Sequence, residues 1–183
     1  VLRTVAFVAL FSLFAVPVFA GALDNCQEYV KYGVPSERGV LLCRKGYALA
    51  HNPANKTPDW VAERLTKEKA EAVMDRSNDF RPDPDLPPGE RAELSDYKGS
   101  GFDRGHMAPA GDMRWDEQAM SQSFYLSNMA PQVGVGMNRG IWKALEEKTR
   151  AWAVKRGELF IFTGPIYEDP DAVETIGWNA VVV

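Results

Sequence analysis

The run richest in chemistry is Asp103-Arg104-Gly105-His106, continued by Met107-Ala108-Pro109-Ala110. His106 is one of two histidines in the chain and stands two residues after an arginine. An arginine presents a planar, permanently charged fork that can grip a phosphate. A histidine can take a proton near neutral pH. Together they suggest chemistry on a phosphodiester. Tyr97-Lys98-Gly99-Ser100-Gly101-Phe102 precedes them and reads as a flexible turn feeding the site.

A second group of polar residues begins at Asn138. Glu146 lies eight residues on, a rotation of about 80° in a helix, and Arg150 four further, about 40° more. All three therefore share one flank. An amide oxygen, a carboxylate and a guanidinium in line can serve a hard cation and a phosphate. Magnesium keeps several waters and needs few protein oxygens, so one Asn with a water-mediated Glu suffices. The plainer account is an N-cap Asn and an i,i+4 Glu–Arg pair, and the helix alone favours it.

These groups need elements to hold them. Val40–Cys43 and Tyr47–His51 around Arg44-Lys45-Gly46 read as a β-hairpin. Thr57-Pro58-Asp59 reads as a helix start with Trp60, Val61 and Leu65 as its buried stripe, with a strand as the alternative. Phe80–Pro88 should be an extended loop, Trp115–Ser121 a short helix, and Phe124-Tyr125-Leu126 a strand ending at Ser127-Asn128. A loop with Pro131, Gly134 and Gly136 follows. From Asn138, the residues Ile141, Trp142, Leu145, Thr149 and Trp152 fall within about 100° of arc and read as a core face. Gly157 ends that helix. Leu159–Phe162 reads as a buried strand closed by Thr163-Gly164-Pro165.

At 183 residues the chain is one domain, or one plus a targeting segment. Arg3, an apolar run from Val5 to Phe19 and the small residues Ala20-Gly21-Ala22 read as a secretory signal peptide, 1–20, cleaved near 20–22. Export would leave the mature protein off the membrane, secreted or periplasmic. The remainder, 23–183, is the functional domain. Its last residues, Trp178–Val183, read as a strand that stops without a cap, so the domain is expected to be truncated at its C-terminus. Export also favours a disulfide between the two cysteines, Cys26 and Cys43. Zinc is disfavoured, because two cysteines and a remote His51 supply no ligand set. His51 reads as a structural histidine and the methionines from Met107 to Met137 as core filler.

The formal charge of −4 counts mildly against a polyanionic substrate. Read locally, the objection weakens. Between Asn138 and Arg156 stand six Lys or Arg residues against Glu146 and Glu147.

The order of parts narrows the reading. The runs Asp103–Ala110, Phe124-Tyr125-Leu126-Ser127-Asn128-Met129-Ala130-Pro131-Gln132, Asn138-Arg139-Gly140-Ile141-Trp142-Lys143-Ala144-Leu145-Glu146 and Thr163-Gly164-Pro165 follow one another. This resembles the DNA/RNA non-specific endonuclease family, the ββα-metal nucleases, from about Leu42 to the last residue. The resemblance implies an α+β fold: a central, mainly antiparallel sheet flanked by helices, with a ββα-metal finger. It implies His106 as general base and Asn138 as direct metal ligand, with Glu146 as a ligand through water. Arg104 and Arg150 would lie near the phosphate, with Asn128 as a further site residue. An upstream arginine, Arg76 in preference to Arg81, would join them in binding substrate. It implies Mg²⁺, with Mn²⁺ as the alternative, and DNA and RNA as substrates. The competing functions are a phosphodiesterase on small or lipid phosphates and a non-catalytic nucleic-acid-binding module. Oligomeric state is not legible.

Overall fold

The computed structural model describes residues 21–167 and 173–183. The expected signal peptide, 1–20, lies outside the described residues. The fold is α+β, as expected. Its main sheet joins β1 (Val40–Cys43), β2 (Tyr47–Asn52), β3 (Thr57–Thr66) and β6 (Glu158–Thr163) in the order β1-β2-β3-β6, every pair antiparallel. A two-stranded ribbon pairs β4 (Phe102–His106) with β5 (Met129–Val133). A small hairpin pairs β7 (Thr175–Ile176) with β8 (Val181–Val182). The helices are α1 (Lys67–Glu71), α2 (Leu94–Tyr97), α3 (Glu117–Ser123) and α4 (Lys143–Arg156). Strands β4 and β5 with α4 form the ββα finger.

Alternation along β2 and β3 divides the core between the two faces of the sheet. Tyr47, Leu49 and Val61 point to one side, where they meet Met107, Met113 and Phe124. Ala48, Ala50, Trp60 and Ala62 point to the other, against Cys26, Tyr29 and Val30. A third cluster, including Leu126, Met129, Ile176 and Val181, packs near the ribbon. The Cys26–Cys43 disulfide is present and ties the short turn Asp24–Cys26 to β1. Of the methionines expected as core filler, Met107, Met113, Met120 and Met129 are buried, while Met137 is only half-buried.

The expected strand Leu159–Phe162 forms within β6, but it is not buried: Phe162 is 42 % exposed. Four further expectations need correction. Thr57-Pro58-Asp59 starts a strand, not a helix. β3 is central, hydrogen-bonded to β2 from Thr57 to Glu63 and to β6 from Val61 onward. Pro58 is tolerated because it precedes the doubly paired stretch. Trp60, Val61 and Leu65 are buried, but by alternation across a sheet. Secondly, Phe124–Leu126 is not a strand. Leu126–Asn128 is a 3₁₀ turn and the strand follows it, with Pro131 inside. A two-stranded ribbon leaves each strand one unpaired edge, so a proline's missing N–H can be accommodated. Thirdly, the short helix begins at Glu117 rather than Trp115, because the Asp116 carboxylate caps the Ala119 N–H.

The fourth correction concerns the long helix. Asn138 does not cap it. Gly134–Trp142 is a widened, π-type stretch, interrupted by non-helical backbone at Val135 and Gly136, that runs directly into α4. Its expected core face is largely open: Ile141 is 69 % exposed, Leu145 46 % and Trp152 40 %. Only Ala153 of α4 is fully buried, while Trp142 packs partly against the main core. Gly157 ends α4 as expected, in a left-handed conformation (φ 95°) that places its N–H on the Ala153 carbonyl.

Candidate active site

The ribbon delivers its side chains to an open groove of ≈ 930 Å³ between β4, the start of α4 and the loop around Arg76. Residues two apart on a strand share a face, so Phe102, Arg104 and His106 stand together. Seven of the seventeen lining residues are basic, against two carboxylates, Asp103 and Glu146. The basic ones are Arg76, Lys98, Arg104, Arg114, Arg139, Lys143 and Arg150. The chain is acidic as a whole, yet this groove is positive and suits a polyanion.

His106 is buried and walled by aromatics, its ring centroid 5.0 Å from Phe124 and 5.6 Å from Phe80. Its Nε2 has no hydrogen-bond partner among the described residues. Burial first, then the charges of Arg76 and Arg104, push its pKa down to about 3. The imidazole is therefore neutral across the physiological range. Arg104 lies over the Phe80 ring at 4.0 Å and Arg76 over Phe124 at 4.8 Å, which sets both guanidiniums beside the imidazole. The Trp142 indole N–H donates to the His106 carbonyl at 3.2 Å and pins the helical segment to β4.

At the rim of the same groove, the Asp103 carboxylate accepts from Asn138 Nδ2 at 3.0 Å and Arg139 Nε at 3.0 Å. Holding the amide nitrogen leaves the Asn138 oxygen available to the groove. Glu146 joins it there. Burial and the nearby Asp112 raise the Glu146 pKa to about 7, so its negative charge is under-compensated. Among the described residues no group of three or more His, Cys, Asp or Glu is arranged to hold a metal ion. An amide oxygen and one carboxylate nevertheless fit a hard, largely hydrated cation. A cation would also relieve Glu146.

Of the expected site residues, His106, Arg104, Asn138, Glu146, Arg150 and Arg76 all line the groove. Arg81 does not: it pairs with Asp79 at 2.7 Å and stacks on Tyr125. Asn128 does not reach the groove either, which corrects its expected place in the site. It is fully buried, donates to the Ala108 and Ser123 carbonyls, and accepts from the Ala108 N–H, each at 2.9 Å. It braces the backbone just past His106. His51 lies elsewhere, buried against the Glu90 carbonyl at 2.7 Å. Asp103 and Asp112 were missed as site residues. Asp103 sits inside the quoted motif and could have been asked what it binds. The partner of Asp112, Arg150, is 38 positions away and only the fold joins them.

Comparison with known proteins bears on the family and the fold. Residues 25–183 match the family model described as DNA/RNA non-specific endonuclease. The chain is 40 % identical over 163 residues to Nuclease C1 of Cunninghamella echinulata var. echinulata, covering 86 % of this chain and 65 % of that one. It is 40 % identical over 141 residues to mitochondrial endonuclease G of Homo sapiens, covering 76 % of this chain and 47 % of that one. It therefore spans about half to two thirds of these relatives. The solved structure of an EndoG/EndoGI complex, concerned with EndoG inhibition, superposes with TM-score 0.80 at 38 % identity, covering 86 % of this chain and 68 % of that one.

Proposed function

The chain belongs to the DNA/RNA non-specific endonuclease family, and from that membership we propose that it cleaves internal phosphodiester bonds of DNA and RNA without sequence preference, using a divalent metal ion. The carrying observation is a neutral imidazole lining one groove together with Arg76, Arg104 and Arg150 and with the Asn138 amide and the Glu146 carboxyl.

The chain's own residues divide the work. Arg76, Arg104 and Arg150 bind the oxygens of the scissile phosphate and oppose the charge that builds on them. His106 removes the proton of the attacking water. The bound phosphate offsets the two arginines that depress the histidine, which strengthens the base once substrate is in place. Asn138, and Glu146 through water, would hold Mg²⁺ or Mn²⁺. That cation would supply charge stabilisation at the phosphate and leaving oxygen. The groove offers phosphate contacts more than base-edge readers, which supports activity without sequence preference.

The Cys26–Cys43 disulfide supports an oxidising compartment. Together with the leader-like residues 1–20 it favours a secreted or periplasmic protein whose nuclease domain is 23–183. No helix among the described residues is long and apolar enough to cross a membrane.

The test is degradation of plasmid DNA and of RNA with Mg²⁺, with Mn²⁺ and with chelator. Cleavage should stop with chelator. His106→Ala should lose at least about 100-fold in rate while its circular dichroism stays native. Turnover by His106→Ala at the wild-type rate would overturn the base assignment. Hydrolysis of a small phosphodiester in preference to long DNA, without strong salt dependence, would favour the small-substrate alternative.

A further inference from the structure

Arg150 reaches the groove from α4, but its geometry is set from outside that helix. One guanidinium nitrogen lies 2.6 Å from the Asp112 carboxylate, whose side chain is only 1 % exposed against 21 % for Arg150. Asp112 sits in the 3₁₀ turn Ala110–Asp112, four residues past the base-bearing end of β4, with its N–H on the Pro109 carbonyl at 3.0 Å. Behind it lies the buried Glu63 of β3, whose carboxyl is raised well above its ordinary range by burial and by the nearby Asp112. The guanidinium also passes directly over Gly111. A Cβ there would lie 2.7 Å from Nη1, so any larger residue would push the arginine aside.

From this arrangement we infer that Asp112 is a positioning residue, which with Gly111 aims the free edge of Arg150 at the scissile phosphate. The inference rests on the nuclease reading and deepens it. The loop that follows His106 orients the phosphate-binding arginine as well, so base and clamp share one rigid support. A 2.6 Å charge-assisted bond on one edge removes most of the rotational freedom of a long side chain. The remaining N–H groups are left in a fixed direction. Misplacing a reacting partner by about 1 Å can cost on the order of 100-fold in rate.

Two substitutions test this in different ways. Asp112→Asn keeps the shape but weakens the grip. Gly111→Ala removes no charge and meets only the flexible end of Arg150, and Gly111 has no left-handed backbone to strain. Each should lower kcat on plasmid DNA by about 10–100-fold with KM within about twofold and Tm close to wild type. In an Arg150→Ala background, neither should lower kcat further, because the group they act on is gone. The Arg150 side-chain NMR signals, resolved in the wild type by a fixed guanidinium, should average by free rotation in Asp112→Asn. Wild-type kcat in both single variants, or losses that add to that of Arg150→Ala, would overturn the inference. A wild-type protein that cleaved nothing would overturn the nuclease reading instead, and the NMR signals alone would then decide whether Asp112 fixes Arg150.

Discussion

His106 is kept uncharged by burial and by two arginines, Arg76 and Arg104. That has a cost in acid. Its folded pKa, about 3, lies below the ordinary value of 6.5. Between those two pH values the unfolded chain binds a proton that the folded chain does not, so stability falls as pH falls through that window. Raised carboxyls such as Glu146 have the opposite sign and lose stability as pH rises through about 7. Comparing wild type with His106→Ala isolates the histidine. Between pH 7 and 4.5 the wild type should lose about 2 kcal/mol more than the variant, read from urea unfolding. Equal losses would mean that the buried imidazole is protonated in the folded state.

At the scale of elements, the ribbon and α4 are useful only in a fixed relation. Two devices maintain it: the Trp142 bond to the His106 carbonyl and the Asp103 clamp on Asn138 and Arg139. The Asn128 brace on Ala108 holds the chain past His106 to the turn before β5. Asn128→Ala would leave a buried N–H and two buried carbonyls without partners. It should cost about 3 kcal/mol of stability in urea unfolding, with any loss of cleavage following the loss of folded protein. Undiminished stability with abolished cleavage would return Asn128 to a direct catalytic part. The helix also shows the limit of periodicity. Ile141, Leu145 and Trp152 form the apolar arc that their spacing predicts, yet they are exposed. Periodicity says which residues share a side, not whether another element covers that side.

Across the whole molecule, charge and covalent structure are distributed unevenly. A chain of net charge −4 concentrates seven basic residues around one groove. Cleavage of polymer should accordingly weaken with salt. The disulfide lies apart from that groove, since neither cysteine lines it. Replacing both cysteines by Ala should lower stability by about 3 kcal/mol, the loop-closure value for this spacing. The rate of DNA cleavage at 25 °C should be unchanged. A proportionate loss of rate in fully folded protein would show that the groove depends on the Cys26–Cys43 tie.

The chemistry was legible because it is written in contiguous text. Asp103–His106 lies within one strand and Asn138, Glu146 and Arg150 along one helical segment, so residue type and local period were enough to group them. The hairpin and the end of α4 were legible for the same reason, and the disulfide because the chain has only two cysteines behind a leader-like segment. Strand β3 was not, because Thr57-Pro58-Asp59 carries a helix-start signal that pairing with β2 and β6 overrides. Nor were the brace at Asn128, the clamp of Asp103 on Asn138 and the aim of Asp112 on Arg150. Each joins groups 20 to 38 positions apart. Local sequence decides which groups are available and which side of an element they occupy. Only the folded chain decides which distant group meets them, because that depends on the packing of β3, the ribbon and α4 against one another.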